Sequence, residues 1–390
     1  MKKSYIYSLV TLAFIFFVCS CGYNNSDPTQ EHETPIPDLI TPENHNEVSS
    51  RVIPTDQLSI VDIPSASNVR FFDKDNIIYS LAPEGSEQMY NLLYKYDINT
   101  GETKQLAKVS FPSMSTGSVV VHENNLYVIG ASQDYECEVL KIDMETCAYQ
   151  VISQSHSFYS YITQLGDNII LFTVTEENDA TIYRIDSINL LDLKSRNIVE
   201  KKYENDTGYC ITCIDTDSTY IYAYEVMIGK YDTSDQIVTY TNEGQVIAEY
   251  LLDLSEFISI ENNLSTDSVF TLKKINNYFI LNTINGRVCI MMLDGDNVYP
   301  KQIPDNLYKE IPSGYHLLKN GFTGNNVYIA SNGNDPKIYI FNAGSGEFVG
   351  LSFLEDFWYI CTKSYDDQIL IRQESIDGIN KFYILQVLPA

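Results

Sequence analysis

Cys210 and Cys213 stand three apart, the spacing of half a zinc site or of a redox dithiol. No second cysteine pair lies at zinc spacing, and the pair falls on a predicted strand, where residues three apart point to opposite faces. Both are therefore expected to be core thiols. Cys137 and Cys147 flank a predicted hairpin. If its turn centres on 143–146, Ile142 faces Cys147 and Cys137 lies well away, so no disulfide is expected there. Of five histidines, His32 and His45 fall in the N-terminal segment, His122 in a turn, and His156 and His316 near the starts of repeat units. None has a companion at metal spacing. Asp294-Gly295-Asp296-Asn297 hints at calcium but lacks the rest of a binding loop and its terminal glutamate, and reads as a hairpin turn. No Gly-x-Ser-x-Gly elbow and no glycine-rich phosphate loop is present. Carboxylate pairs are too abundant to single out a glycosidase pair. The expectation is no catalytic residue, no metal and no cofactor.

With 52 acidic against 25 basic residues, the chain of 390 carries a formal charge of −27. That excludes nucleic acid, whose phosphates require clustered Lys and Arg, and a polybasic membrane-docking patch. The 30 tyrosines and 17 phenylalanines, with abundant Ile and Val, suit pleated, half-buried surfaces and favour β structure.

The N-terminus supplies an address. Lys2-Lys3 precedes an uncharged apolar run, Tyr5 to Val18, which is short for a bilayer span and fits a signal-peptide core. It ends in Val18-Cys19-Ser20-Cys21-Gly22, which resembles the lipobox of bacterial lipoproteins. The resemblance implies cleavage before Cys21 and lipidation of its thiol. Residues 1–20 would be the signal peptide. Palmitate-type acyl chains would hold the protein at the membrane, since each buried CH₂ contributes about 0.8 kcal/mol. From 21 to 56, five prolines, Asn, Ser and acids dominate. So polar a segment reads as a disordered tether. The domain proper is expected over 57–390.

The elements that must position any site recur. A polar turn followed by a short apolar run appears at Asn76-Ile77-Ile78-Tyr79, Asn125-Leu126-Tyr127-Val128, Asn168-Ile169-Ile170-Leu171 and Thr219-Tyr220-Ile221-Tyr222. It returns at Asn277-Tyr278-Phe279-Ile280, Asn326-Val327-Tyr328-Ile329 and Gln368-Ile369-Leu370-Ile371. The interval is roughly 40 to 60 residues, a propeller-like period. Each copy is followed by another strand, such as Leu93–Tyr96 or Val139–Ile142, often ending in a turn like Asp97-Ile98-Asn99-Thr100-Gly101. Four antiparallel strands per unit, repeated, is the plan of a propeller blade. The pattern resembles the β-propeller lipoproteins of bacteria, without the signatures of WD40, kelch or quinone-type propellers. The expectation is an all-β fold, a β-propeller of seven four-stranded blades, in which the lone run Leu58–Ile63 supplies the strand the last blade lacks. A β-sandwich pair or two smaller domains are the rival readings.

In such a ring the loops joining second and third strands gather on one face. They place Tyr90, Asp134, Tyr135, Glu176, Glu177, Tyr231, Asp335 and Asp377 there as a candidate binding face. The function expected is a monomeric, extracytoplasmic, membrane-anchored binding or scaffolding module for a protein, peptide or glycan. The alternative is an extracellular hydrolase or lyase acting on polysaccharide or peptide through carboxylates in the central channel.

Overall fold

The computed structural model describes residues 49–53, 57–83, 90–111, 119–132, 136–157, 159–205, 207–229, 233–252, 269–283, 288–300, 315–317, 325–331, 338–353, 359–365, 367–373 and 379–387. The regular elements among them are strands, apart from a 3₁₀ turn position at Gln57. Two strands open the chain, β1 (Ser49–Ile53) and β2 (Leu58–Val61). Then come β3 (Asn68–Phe72), β4 (Asn76–Leu81), β5 (Asn91–Asp97) and β6 (Thr103–Val109), one antiparallel sheet in sequence order. The same plan follows in β7 (Val119–His122), β8 (Asn125–Ala131), β9 (Cys137–Asp143) and β10 (Tyr149–Ser155).

Next are β11 (Tyr159–Leu165), β12 (Asn168–Glu177), β13 (Ala180–Asn189) and β14 (Ser195–Glu204), then β15 (Thr207–Thr216), β16 (Ile221–Ile228), β17 (Thr233–Tyr240) and β18 (Val246–Leu252). These eight form one continuous sheet, because β14 and β15 pair at Tyr203↔Gly208 and Glu204↔Thr207. A four-stranded sheet follows, β19 (Val269–Ile275), β20 (Tyr278–Thr283), β21 (Val288–Asp294) and β22 (Asn297–Pro300). The last strands are β23 (Tyr315–Leu317), β24 (Asn326–Ser331), β25 (Ile338–Asn342), β26 (Glu347–Phe353), β27 (Tyr359–Tyr365), β28 (Gln368–Gln373) and β29 (Lys381–Gln386).

β2 pairs antiparallel with β29, Leu58 opposite Leu385 and Val61 opposite Phe382, so the chain's start completes the sheet that its end leaves at three strands. β27 packs beside β3, joining the last sheet to the first. The fold is a closed all-β propeller whose seam sheet is brought to four strands by β2.

Two features depart from separate four-stranded sheets throughout. The eight-stranded sheet is one. The other is β1, which adds to β26 in parallel, Ser49 opposite Val349 and Ile53 opposite Phe353, giving a fifth strand. β1 lies inside the 21–56 stretch expected to be tether, so ordered structure extends back at least to Ser49. The sequence hides it because Ser49-Ser50-Arg51 has little apolar content and only Ile53, buried at 3% exposure, joins a core cluster.

The apolar second strands are buried because a sheet lies against each of their faces. Ile77–Tyr79, Leu126–Ile129, Ile169–Phe172, Ile221–Tyr224, Phe279–Leu281, Val327–Ile329 and Ile369–Ile371 all lie in the core. Their alternate residues enter different hydrophobic clusters. Ile78 packs with β8 and β9, for example, while Ile77 and Tyr79 pack with Leu370 and Phe382.

The turns after the third strands repeat as well. The side-chain oxygens of Asp97, Asp143, Asn189 and Asn342 each accept from the N–H groups two and three residues on, at 2.7 to 3.2 Å. The residue four positions on takes positive φ in each case, namely Gly101, Cys147, Leu193 and Gly346. Asx side chains close such turns by standing in for the backbone.

Candidate functional site

Of the eight positions expected on the binding face, Tyr90, Glu176 and Glu177 are described. Asp134, Tyr135, Tyr231, Asp335 and Asp377 lie outside the described residues, as does Cys21. Tyr90 directly precedes β5, and the Lys108 ammonium sits 3.4 Å from its ring centroid. This cation–π contact holds the ring against the fourth strand of the same sheet. Glu176 and Glu177 end β12. Glu177 pairs across the hairpin with Ala180, leaving Asn178 and Asp179 as a two-residue turn with φ of 51° and 66°. Both residue types tolerate that conformation, as a tight hairpin requires. Glu177 Oε1 meets Arg184 Nη1 at 2.9 Å, and Arg184 Nε meets Glu200 at 2.9 Å. The Glu200 hydrogen bond raises the Arg184 pKa. Glu176 is exposed. No hydrogen bond or ion pair among the described residues joins Tyr90 to the two glutamates.

A second set of polar groups lies where first strands end. His122, at the end of β7 rather than in a turn, has Nδ1 2.8 Å from Gln164 Nε2 on β11. Thr163 Oγ1 on β11 is 2.9 Å from Thr216 Oγ1 on β15, whose hydroxyl also donates to the Gln164 carbonyl at 2.7 Å. Beside Thr216, the carboxylate of Asp215 accepts from Lys273 Nζ at 3.3 Å and from the Lys274 N–H at 2.8 Å, both on β19. Asp215 is buried, and burial raises its pKa against the opposing pull of Lys273. Burial lowers the Lys274 pKa, opposed by Asp217 and Asp215. Asp217 is pushed up by burial but ends below the ordinary carboxylate range. Tyr222 Oη donates to it at 2.5 Å, and the N–H groups of Thr219 and Tyr220 donate at 2.7 and 2.8 Å. Four successive first strands are thus tied together by side chains at one end of the ring. Glu176 and Glu177 lie at the other end, since second strands run back from it.

A third cluster sits inside the eight-stranded sheet. Glu225 on β16 is fully buried. It accepts from Tyr240 Oη at 2.5 Å and Gln236 Nε2 at 3.2 Å, and pairs with Lys201 Nζ of β14 at 3.2 Å. Lys201 also lies 4.6 Å from the Tyr209 ring centroid. Burial, then the Glu225 charge, raises the Tyr240 pKa. Every acceptor direction of this carboxylate faces protein, so it fastens β14 to the following strands. Sequence reasoning missed it, although one carboxylate in the apolar run Tyr222-Ala223-Tyr224-Glu225-Val226 signals a buried ion that needs partners.

Cys210 and Cys213 are free thiols on β15, whose register against β16 shifts between Ile211 and Cys213. Cys213 packs toward β19–β21, and Cys210 meets Tyr183 of β13. Cys137 and Cys147 are free too, and Ile142 faces Tyr149 rather than Cys147. Asp294 pairs with Asn297 across a two-residue turn, Gly295 at φ 60°. Among the described residues no group of three or more His, Cys, Asp or Glu side chains is arranged to hold a metal.

No family model matches the sequence, and no curated protein matches it. Solved structures do resemble the fold. The polysaccharide lyase Uly1 superposes with a TM-score of 0.55 at 9% identity, covering 85% of this chain and 91% of the other. The acylaminoacyl peptidase of Pyrococcus horikoshii gives 0.54 at 11% identity, covering 84% of this chain and 52% of that one. The β-propeller domain of Cps50 (Swd1) from Myceliophteria thermophila gives 0.48 at 12% identity, covering 84% and 99%. At such identities the likeness extends to the fold alone.

Proposed function

We propose that this chain is a lipid-anchored, extracytoplasmic propeller of seven four-stranded blades that works as a binding or scaffolding module for a protein, peptide or glycan. The blade count takes the eight-stranded sheet as two blades and β1 as an addition to a third. What supports it is the number of hydrophobic clusters, seven, each joining one four-strand run to the next and the last to the first. The binding reading is carried by the state of the carboxylates. Those that the fold buries, Asp215 and Glu225, each engage a lysine from a neighbouring run and serve to hold the ring together. Beside the two-residue hairpin, Glu176 is exposed to solvent and available to a partner, while the exposed Glu177 is engaged by Arg184. Anchoring through Cys21 rests on the lipobox resemblance.

Two experiments test this. Cys21→Ala should release the protein from the membrane fraction; unchanged retention refutes lipidation. The tagged full chain, cross-linked in intact cells, should capture a partner that Glu176→Lys with Glu177→Lys fails to capture. The second reading, an extracellular hydrolase or lyase, draws on the shared fold with a protein named as a polysaccharide lyase and another named as a peptidase. It predicts turnover of a glycan or peptide library by the purified chain, and such turnover without specific capture would replace the binding reading.

A further inference from the structure

Two strands fix the end at which the N-terminal segment joins the ring. Within a run, the first strand leads to the end that carries turn residues such as Asp167, the second runs back, the third returns to it and the fourth leaves it. β1 lies parallel to the fourth strand β26, Ser49 opposite Val349 and Ile53 opposite Phe353, so it starts at that end. β2 lies antiparallel to the third strand β29, Leu58 opposite Leu385 and Val61 opposite Phe382, so it starts there too. The two pairings belong to different sheets and agree. The chain before Ser49 therefore meets the ring at the end of the first-to-second and third-to-fourth turns. Glu176 lies at the other end. β12 alone, ten residues from Asn168 to Glu177, sets the two ends about 30 Å apart.

The end that receives the chain is acidic. Glu123, Glu145, Asp167, Asp192, Glu243 and Asp296 are exposed in its turns. The cations in the described turns there are Lys74 and Lys194, and each already faces a carboxylate, Asp75 at 3.8 Å and Asp192 at 2.9 Å. An anionic bilayer repels such a surface within a Debye length, about 8 Å at physiological salt. The ring is thus attached by this end but does not adsorb through it. A segment that had to pass round the ring to a membrane on the far side would spend contour length and conformational freedom, so the end of entry is the end nearer the anchor.

We propose that the ring stands with its acidic turn end toward the anchoring membrane and its second-to-third loops outward. The surface around Glu176 then meets a partner that comes from the side away from the bilayer, a soluble or peripheral macromolecule rather than a neighbour embedded in the same membrane. The orientation rests on the lipid-anchored reading above, and it adds the side from which the partner is reached.

The test compares the two ends of one strand. A clickable amino acid is placed at Asp167, just before β12, or at Glu176, near its end, and carries a donor dye. The chain, purified from membranes, is returned to vesicles of phosphatidylglycerol and phosphatidylcholine with an acceptor dye on the lipid headgroups. Energy transfer from position 167 should exceed that from position 176 by about 1.5-fold or more, given ends about 30 Å apart. Glu123→Lys with Glu145→Lys should raise transfer from 167 at low salt, because the repulsion becomes attraction, and the gain should fade as salt rises. Two results overturn the proposal. One is equal or greater transfer from 176. The other is a double variant whose transfer from 167 is unchanged at low salt, which would mean that this end does not approach the bilayer. Failure of the anchor is read separately, as unchanged membrane retention of Cys21→Ala. In that case the chain is held on nickel-chelating vesicles by an N-terminal histidine tag, and the same comparison decides the orientation with the attachment imposed.

Discussion

At the scale of single residues, the third-strand turns are a natural comparison series. One position is Asp97 or Asp143 in two runs and Asn189 or Asn342 in two others, and all four make the same pair of backbone hydrogen bonds. Only the aspartates titrate. The N–H of Thr100 holds Asp97 below its ordinary value of 3.8, and the N–H of Thr146 does the same for Asp143. A carboxylate depressed in the folded state stabilises fully above its unfolded value, and that contribution is lost as pH falls through the folded one. Asp97→Asn with Asp143→Asn should therefore flatten the fall of stability as pH drops below about 4. Denaturant titrations across that range check it, and an unchanged slope would dismiss the turns as acid-sensitive points. The fifth residue of the same turn offers a second prediction. Gly101 and Gly346 take positive φ freely, but Leu193 at φ 58° does so under strain. Leu193→Gly should raise stability by about 1 kcal/mol, measured by chemical unfolding. Glu225 predicts the reverse. Removing it with Glu225→Ala leaves Lys201 and Tyr240 facing a buried void of charge, and should cost about 3–5 kcal/mol. Glu225→Gln, which keeps an acceptor for Tyr240, should cost less.

Among elements, burial decided what the sequence disclosed. Second strands have a neighbouring sheet on both faces, so all seven read as continuous apolar runs and lie where the repeat placed them. Outer strands such as β10, Tyr149–Ser155, are largely exposed or half-exposed and carry no comparable pattern. The bond between β14 and β15 consists of two register pairs and leaves no mark on composition. The Glu225 and Asp215 networks were equally hidden, because their lysines lie 24 and 58 residues away in sequence. β1 was invisible for a third reason: its pairing is parallel, to a strand about 300 residues later, and no local turn announces it. As the outermost strand of its sheet, β1 can detach without opening the ring, so the cost of weakening it is capped at its own docking energy. Ile53→Ala should raise amide exchange in 49–53 and leave exchange in β24 and β25 unchanged. Faster exchange through the whole sheet would show instead that β1 is integral to it.

For the molecule as a whole, β2 occupies a different position from β1, although only four residues separate the two strands. Val61 belongs to the cluster shared by Leu370, Phe382 and Ile384 on one side of the seam and Ile77 and Tyr79 on the other. Its strand is also the fourth of the last sheet. Closure therefore depends on four residues, Leu58–Val61, whose pairing with β29 spans almost the full length of the chain. Contacts so distant in sequence close the largest loop, and their entropy cost is met only once the intervening units have formed. A carboxylate placed there must desolvate against an apolar cluster or leave it, and leaving it uncovers the edge of β29 and the cluster that joins the last sheet to the first. Val61→Asp should lower the unfolding midpoint of the whole domain, broaden the transition, and speed amide exchange in β3 and β4 as well as in β29, across the seam. Exchange confined to β2, with the midpoint unchanged, would mean that the ring holds through its inner strands and that the N-terminal strand merely covers an edge.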